Sequence, residues 1–208
     1  MKTVVITVPM MPLDAVKSIT YPMDGNKAIE YGEPVRCPIN GVLAKTMKNG
    51  EKIKVIYIVT TGSNSYCQQM KEIFIAELEH INKEIGAILS YDTVEMEFRA
   101  TMQTYNKLIL DLAEIVPDNA EIFADITYGF KTEVLSFVCA LRFLEEFRDA
   151  TVQHFIYAKL ERNYKTRQYE NPMIYDITSL YYLFKLMGSM RTSDTETAMK
   201  MLKDFFSI

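Results

Sequence analysis

The sequence predicts an α/β protein built on a doubly wound, mostly parallel, Rossmann-like sheet, with a β-hairpin insertion and a short C-terminal helical tail. Three observations lead there. First, short apolar, β-branched runs alternate along the 208 residues with stretches whose apolar residues fall at helical spacing, the pattern of a parallel sheet covered by helices. Second, residues 3–8 are apolar almost without a break, the form of a strand buried on both faces, so this run belongs at the sheet centre. Third, Asp125-Ile126-Thr127-Tyr128-Gly129-Phe130-Lys131-Thr132 is a polar, glycine-containing turn between an apolar run and a long amphipathic segment. A strand that ends in such a turn aims the free N–H groups of the following helix at whatever occupies it. Those donors and the positive end of the helix dipole favour an anion, and Lys131 adds a formal charge. A phosphate suits that position.

The elements follow in order. Pro9 and Pro12 close the first strand, and residues 16–39 alternate about Asp24-Gly25-Asn26, a hairpin signal. Residues 41–47 suit a short helix. A second strand, 53–60, runs into Thr60-Thr61-Gly62-Ser63-Asn64-Ser65, small hydroxylated residues that again follow a strand. Met70, Ile73, Phe74, Leu78 and Ile81 mark a helix over 67–85, followed by a strand at 93–98, a loop at 99–103 and a helix at 104–116. Pro117-Asp118-Asn119 breaks that helix ahead of a strand at 120–124. Beyond the turn, Val134, Leu135, Phe137, Val138, Ala140, Leu141, Phe143 and Leu144 recur at helical spacing as far as Phe147. Residues 152–158 read as a fifth strand, the charged stretch 159–170 as an exposed loop, and 173–177 as a further strand. A helix over 179–190 turns Leu180, Leu183, Phe184 and Met187 inward, while Tyr181 and Tyr182 pack. Residues 1–190 make one domain and 191–208 a tail with one more short amphipathic helix. A doubly wound sheet binds ligands beyond its C-terminal strand ends, so loops 9–12, 60–65, 99–103 and 125–131 should converge.

Composition narrows the function. An apolar share of 49% supports a packed core, and a net charge of −4 argues against broad binding to DNA or RNA while leaving room for a small phosphate ligand. No apolar run reaches the roughly 18 residues of a membrane span, and no signal-peptide pattern opens the chain, so a cytoplasmic protein is expected. Cys37, Cys67 and Cys139 are odd in number and lack CxxC spacing, which suggests neither a disulfide framework nor zinc; Cys139 reads as core. Glu145-Glu146, and Glu95 with Glu97, have no histidine at ligand spacing, so no metal is expected, and His80 reads as surface. The chain has no GxGxxG, GxxxxGK[ST] or GxSxG, and no cofactor is implied.

The stretch Asp125 to Lys131, with the apolar helix after it, resembles the Asp-x-Thr-His-Gly-Phe-Arg signature of CRISPR-associated Rossmann-fold (CARF) proteins of the TM1812-like family. The order of the chain over 1–190 is similar too: an N-terminal strand, an insertion with an Asp-Gly turn, a strand ending in Thr60-Thr61, the signature, a strand ending near Tyr157, and a late Tyr175-Asp176-Ile177-Thr178. Tyr128 stands where the family often has His, and Lys131 where it often has Arg; each keeps a hydrogen-bonding or cationic group.

The resemblance implies a homodimer that binds a cyclic oligoadenylate, the second messenger of type III CRISPR complexes, with the four-membered ring first in order. A two-fold dimer would present each anion-binding turn twice to a two-fold ring. On that reading Thr127, Gly129 and Lys131 meet phosphate beside Thr60, Thr61, Gly62, Ser63 and Asn64. Asn64 and Gln103 meet adenine edges, Met10, Met11 or Tyr128 meet adenine faces, and Asp125 and Phe130 complete the site. Some members cleave the ring without a metal, for which Lys131, Thr61 and Ser63 are the catalytic candidates. The tail 191–208 is too short for an effector domain, which leaves ligand binding, ligand degradation, the sensor part of a longer protein, or action through a separate partner recruited by the tail. Arg148 and His154 match the spacing of a ribonuclease motif seen in such effectors, but residue 154 falls in a predicted strand. Each site residue also has an ordinary structural reading: Asp125 as a binder of turn amides, Gly129 for its backbone angles, Thr60, Thr61 and Ser63 as turn hydroxyls, Lys131 as a solvated lysine, and the 13 methionines as core and dimer contact.

Overall fold

The computed structural model describes residues 1–62, 66–99, 101–162, 169–189 and 194–206. Among them, seven strands form one sheet: β1 (Lys2–Thr7), β2 (Met23–Asp24), β3 (Lys52–Thr61), β4 (Ile88–Glu97), β5 (Glu121–Asp125), β6 (Thr151–Arg162) and β7 (Tyr169–Asp176). The helices are α1 (Pro38–Thr46), α2 (Tyr66–Ile85), α3 (Met102–Ile115), α4 (Lys131–Phe147), α5 (Thr178–Ser189) and α6 (Thr195–Phe206).

The sheet order is β2-β7-β6-β5-β1-β3-β4. From β4 to β6 all neighbours are parallel, so the fully buried β1 lies inside the sheet, as its unbroken apolar run requires. The chain steps outward from β1 through β3 to β4, then returns to the other side of β1 with β5 and β6. That reversal is the doubly wound Rossmann-like arrangement, and it leaves a crevice where the C-terminal ends of β1 and β5 diverge. Helices α1 and α2 pack on one face, over Val4, Ile6, Val55, Tyr57 and Phe123; α3, α4 and α5 pack on the other, over Val5, Ile56, Ile58, Ile122 and Ala124. Successive strand residues thus feed opposite cores.

Several expectations need correction. The predicted hairpin over 16–39 is not formed: its only described pairing across the segment is a single antiparallel bridge, Ile19 to Val35. Gly25, at φ +94°, turns the chain against β7, where an added Cβ would lie 3.1 Å from the Asp176 carbonyl oxygen, and Met23–Asp24 pair with Ile174 and Tyr175 in parallel. The apolar alternation serves burial instead, through Val16, Tyr21, Met23, Ile29 and Val35. The antiparallel ribbon is found at β6 and β7, which take up residues 159–162 and 169–170 of the predicted loop 159–170, the residues between them lying outside the described ones. Charged residues suit it because its outer end has solvent-facing sides, with Lys159 and Glu161 paired at 2.5 Å. On α5 the inward residues are Tyr181 and Leu183, whereas Leu180, Phe184 and Met187 are exposed. Cys139 is also exposed, since α4 buries the stripe containing Ser136, Phe137, Ala140, Leu141 and Leu144. Residues 191–193, 207 and 208 of the tail lie outside the described residues. Among the described residues no helix is long and apolar enough to cross a membrane.

Candidate functional site

The turn between β5 and α4 is built on Asp125, which has no solvent exposure. Its Oδ1 accepts from the Thr127 amide at 2.8 Å, and its Oδ2 accepts from the Ile39 amide in the first turn of α1 at 3.2 Å. Burial pushes its carboxyl up to about 6, with the bonds from Thr127 and Ile39 working the other way. Asp125 is therefore the bolt of the turn, and its reading as a binder of backbone amides is the one the geometry follows. Thr127 is similarly engaged, its Oγ1 accepting from the Ala158 amide at 2.9 Å. The Tyr128 ring turns into the core beside Phe74, with its hydroxyl donating to the Arg36 carbonyl at 3.2 Å, so most of the ring is withdrawn from the adenine-facing place expected from the sequence.

The turn then opens onto the N-terminus of α4. Gly129, at φ +153°, sits where an added Cβ would lie tight against Glu133 Oε2 at 3.1 Å and Thr7 Cγ2 at 3.3 Å. Glu133, one turn into the helix, is buried and accepts from the Phe130 amide at 3.1 Å. Burial raises its carboxyl to about 7, offset in part by that bond. Lys131, the first helical residue, is exposed and enters none of the ion pairs among the described residues.

A cleft of about 260 Å³ lies over this turn, walled by Met10, Met11, Thr60, Thr127, Gly129, Phe130 and Glu133 and touched by Tyr128. It sits at the β1/β5 switch point and gathers half of the residues expected from the sequence. Thr61 and Gln103 line a separate cleft of about 410 Å³ with Glu95, Glu97, Arg99 and Lys107. Thr60 and Thr61 part company because neighbouring residues of an extended strand point opposite ways. Gln103 belongs to α3 rather than to a loop: the helix begins at Met102 because the Thr101 side chain accepts from the Thr104 amide and caps it. Gly62 has φ +97° at the end of β3, and Ser63 and Asn64 fall outside the described residues.

Two groups of neighbours escaped the sequence reading. Glu133 gave no capping signal, since the residue three before it is Phe130 rather than Ser, Thr, Asp or Asn. Phe98 follows β4 and brings its ring centroid to 5.7 Å from that of Phe130. The Arg148 and His154 pair is taken apart by the fold: Arg148 bonds Asp118 and the Ala113 carbonyl, while His154 Nδ1 lies 3.0 Å from Asp176 Oδ2. Among the described residues no three His, Cys, Asp or Glu side chains are grouped to hold a metal ion. No protein-family model matches this chain, and no curated protein matches it.

Proposed function

We propose that this chain is a CARF-type protein that binds a cyclic oligoadenylate at a homodimer interface, with cyclic tetra-adenylate the first ligand to try. The observation that carries the reading is the switch-point cleft, in which Thr60, Thr127, Gly129 and Phe130 meet at the start of α4 beside the unpaired Lys131. A phosphate there would find the N-terminus of α4, with the exposed Lys131 next to Phe130 in sequence, while Met10 and Met11 offer soft apolar contact to a base.

The dimer has support from α4 itself. Leu135, Cys139, Phe143 and Phe147 follow one another at four-residue intervals along its outer face, with Leu135 67% and Phe147 71% exposed. A helix stripe of this kind left in water is a surface for a partner. If the two-fold axis ran along the strands, the two α4 helices would lie side by side with both N-termini at the same end, bringing two anion sites to one ring.

The alternative is slow, metal-independent cleavage of the ring, which needs the ribose 2′-OH held in line with the adjacent phosphate and charge stabilised on its oxygens. Thr60 lines the cleft for such a step and Lys131 follows its Phe130 in sequence, whereas Thr61 faces the neighbouring cleft. Mixing stoichiometric protein with cyclic tetra-adenylate in EDTA, and resolving free, bound and cleaved nucleotide over time, separates the readings. Intact bound ring makes the protein a sensor, and products ending in 2′,3′-cyclic phosphate make it a ring nuclease. Absence of binding to both the tetra- and hexa-adenylate rings would overturn the proposal.

A further inference from the structure

We propose that Phe98 and Phe130 form a stacking site for an adenine base, next to the phosphate-binding turn; the identity of the base rests on the cyclic oligoadenylate reading above. Two phenylalanines held half in water are the starting point: Phe98 is 50% and Phe130 40% exposed. Both are anchored through their backbones. The Phe98 amide donates to the Thr61 carbonyl at 2.9 Å and the Phe130 amide to Glu133 at 3.1 Å, so each ring leaves a fixed point at the end of β4 or the start of α4. Rigid aromatic surface of this kind binds flat ligands at low entropic cost.

The two rings pack on each other and together line a cleft of about 310 Å³ that is predominantly apolar, with Met96 alongside and Arg99 and Glu97 at its border. Its wall is braced where the Tyr105 hydroxyl meets the Thr132 hydroxyl at 2.5 Å, tying the first turns of α3 and α4 together. The occupant is set by continuity. Phe130 lines both this cleft and the one over Gly129, so a nucleotide with its phosphate at the turn has an aromatic face within the same wall. Glu97, exposed and outside the ion pairs among the described residues, can accept from an exocyclic amino group, which adenine carries. An extended peptide or a lipid chain would use the apolar walls but not this combination.

The chain contains no tryptophan, so Phe98→Trp supplies a single fluorescent reporter at the proposed contact. Titration of that variant with cyclic tetra-adenylate should quench its emission, and Phe98→Ala and Phe98→Leu should each bind the ring roughly tenfold to a hundredfold more weakly, because one aromatic–base stack is lost. Leucine keeps the apolar bulk without the π face, and unchanged melting of either variant separates lost stacking from lost folding. Unquenched emission together with wild-type affinity in both variants would overturn the stacking site while leaving ring binding intact. Should the wild-type protein fail to bind the ring, the function proposed above falls instead, and AMP titrated into Phe98→Trp then decides the stacking site alone: quenching supports it, and a flat signal overturns it.

Discussion

Helices α1 and α4 begin on opposite faces of the sheet, both beside the Asp125 turn, and the protein treats their positive ends in opposite ways. At α1 the amides are met from within: Asp125 accepts from Ile39, while Glu77 of α2 accepts from Arg36 at 2.7 Å, from Cys37 at 3.1 Å and from the Asn40 side chain at 2.9 Å. Two carboxylates saturate that end, and burial beside them pushes the Cys37 thiol up. At α4 a single buried carboxylate, Glu133, takes the Phe130 amide, no other carboxylate bonds that end among the described residues, and Phe130 and Glu133 line a cleft. A helix start is an anion site only where the fold has not already supplied the anion. Asp125 therefore serves α1 and the turn, and on the proposed function the ligand falls to α4.

Breaking the closed end should have the largest effect. Asp125→Ala leaves two buried amides without their acceptor and should lower stability by roughly 2–4 kcal/mol in denaturant melts; a wild-type midpoint would mean that α1 is not held by this carboxylate. At the open end, Lys131→Ala should cost about tenfold in ring affinity, equivalent to roughly 1.4 kcal/mol, with stability unchanged within about 0.5 kcal/mol. Unchanged affinity would move the anion site elsewhere.

Glu133 sharpens the contrast through pH. Its carboxyl rises from 4.5 to about 7 on folding, so the folded state holds a proton that the unfolded state releases. Stability from this group is full below about pH 4.5, declines as pH climbs to about 7, and is flat above, a loss on the order of 2–3 kcal/mol. Glu133→Gln, which can still accept from Phe130, should remove that slope in melts run from pH 5 to 8. Ring affinity of the wild type should improve severalfold between pH 8 and pH 6 as the carboxylate beside the cleft is neutralised, and the glutamine variant should lose that dependence. A wild-type affinity that is flat across this range would place Glu133 out of reach of the ligand. The smallest perturbation is Cys139→Ser: mild oxidation should link wild-type chains through Cys139, midway along the exposed α4 stripe, and leave the serine variant uncrosslinked with unaltered stability. Wild-type chains that stay unlinked would count against this contact face, since Cys139 is the exposed thiol and Cys37 and Cys67 are buried.

What could be read in the residues divides along physical lines. Helix α4 begins at Lys131 and ends at Phe147 as its periodicity predicts, and the Rossmann-like sheet follows from the alternation of buried runs with helical ones. Such features are local. The hairpin reading failed because Asp24-Gly25 reports only that the chain turns, whereas the strand it turns against comes far later, at β7. Tyr128 is expected at an adenine face and Glu133 gives no signal; Phe74 beside the one and Gly129 beside the other make them interior, and those neighbours lie outside any local pattern. Cys139 reads as core and is exposed, because it shares the outer face of α4 with Leu135 and Phe143, which apolar spacing alone does not separate from the buried stripe.

The pairing of β2 with β7 also bears on how the chain comes to be folded. During synthesis Met23 and Asp24 emerge long before Ile174 and Tyr175, the residues beside which they finally lie. Until the β6–β7 ribbon exists, the segment between β1 and α1 has no edge to dock on, and Tyr21 and Met23 must wait uncovered. Contacts this distant in sequence close slowly. The last event of folding is thus expected to be the return of an early segment to a late one, a seam drawn shut after both ends of the chain have been made.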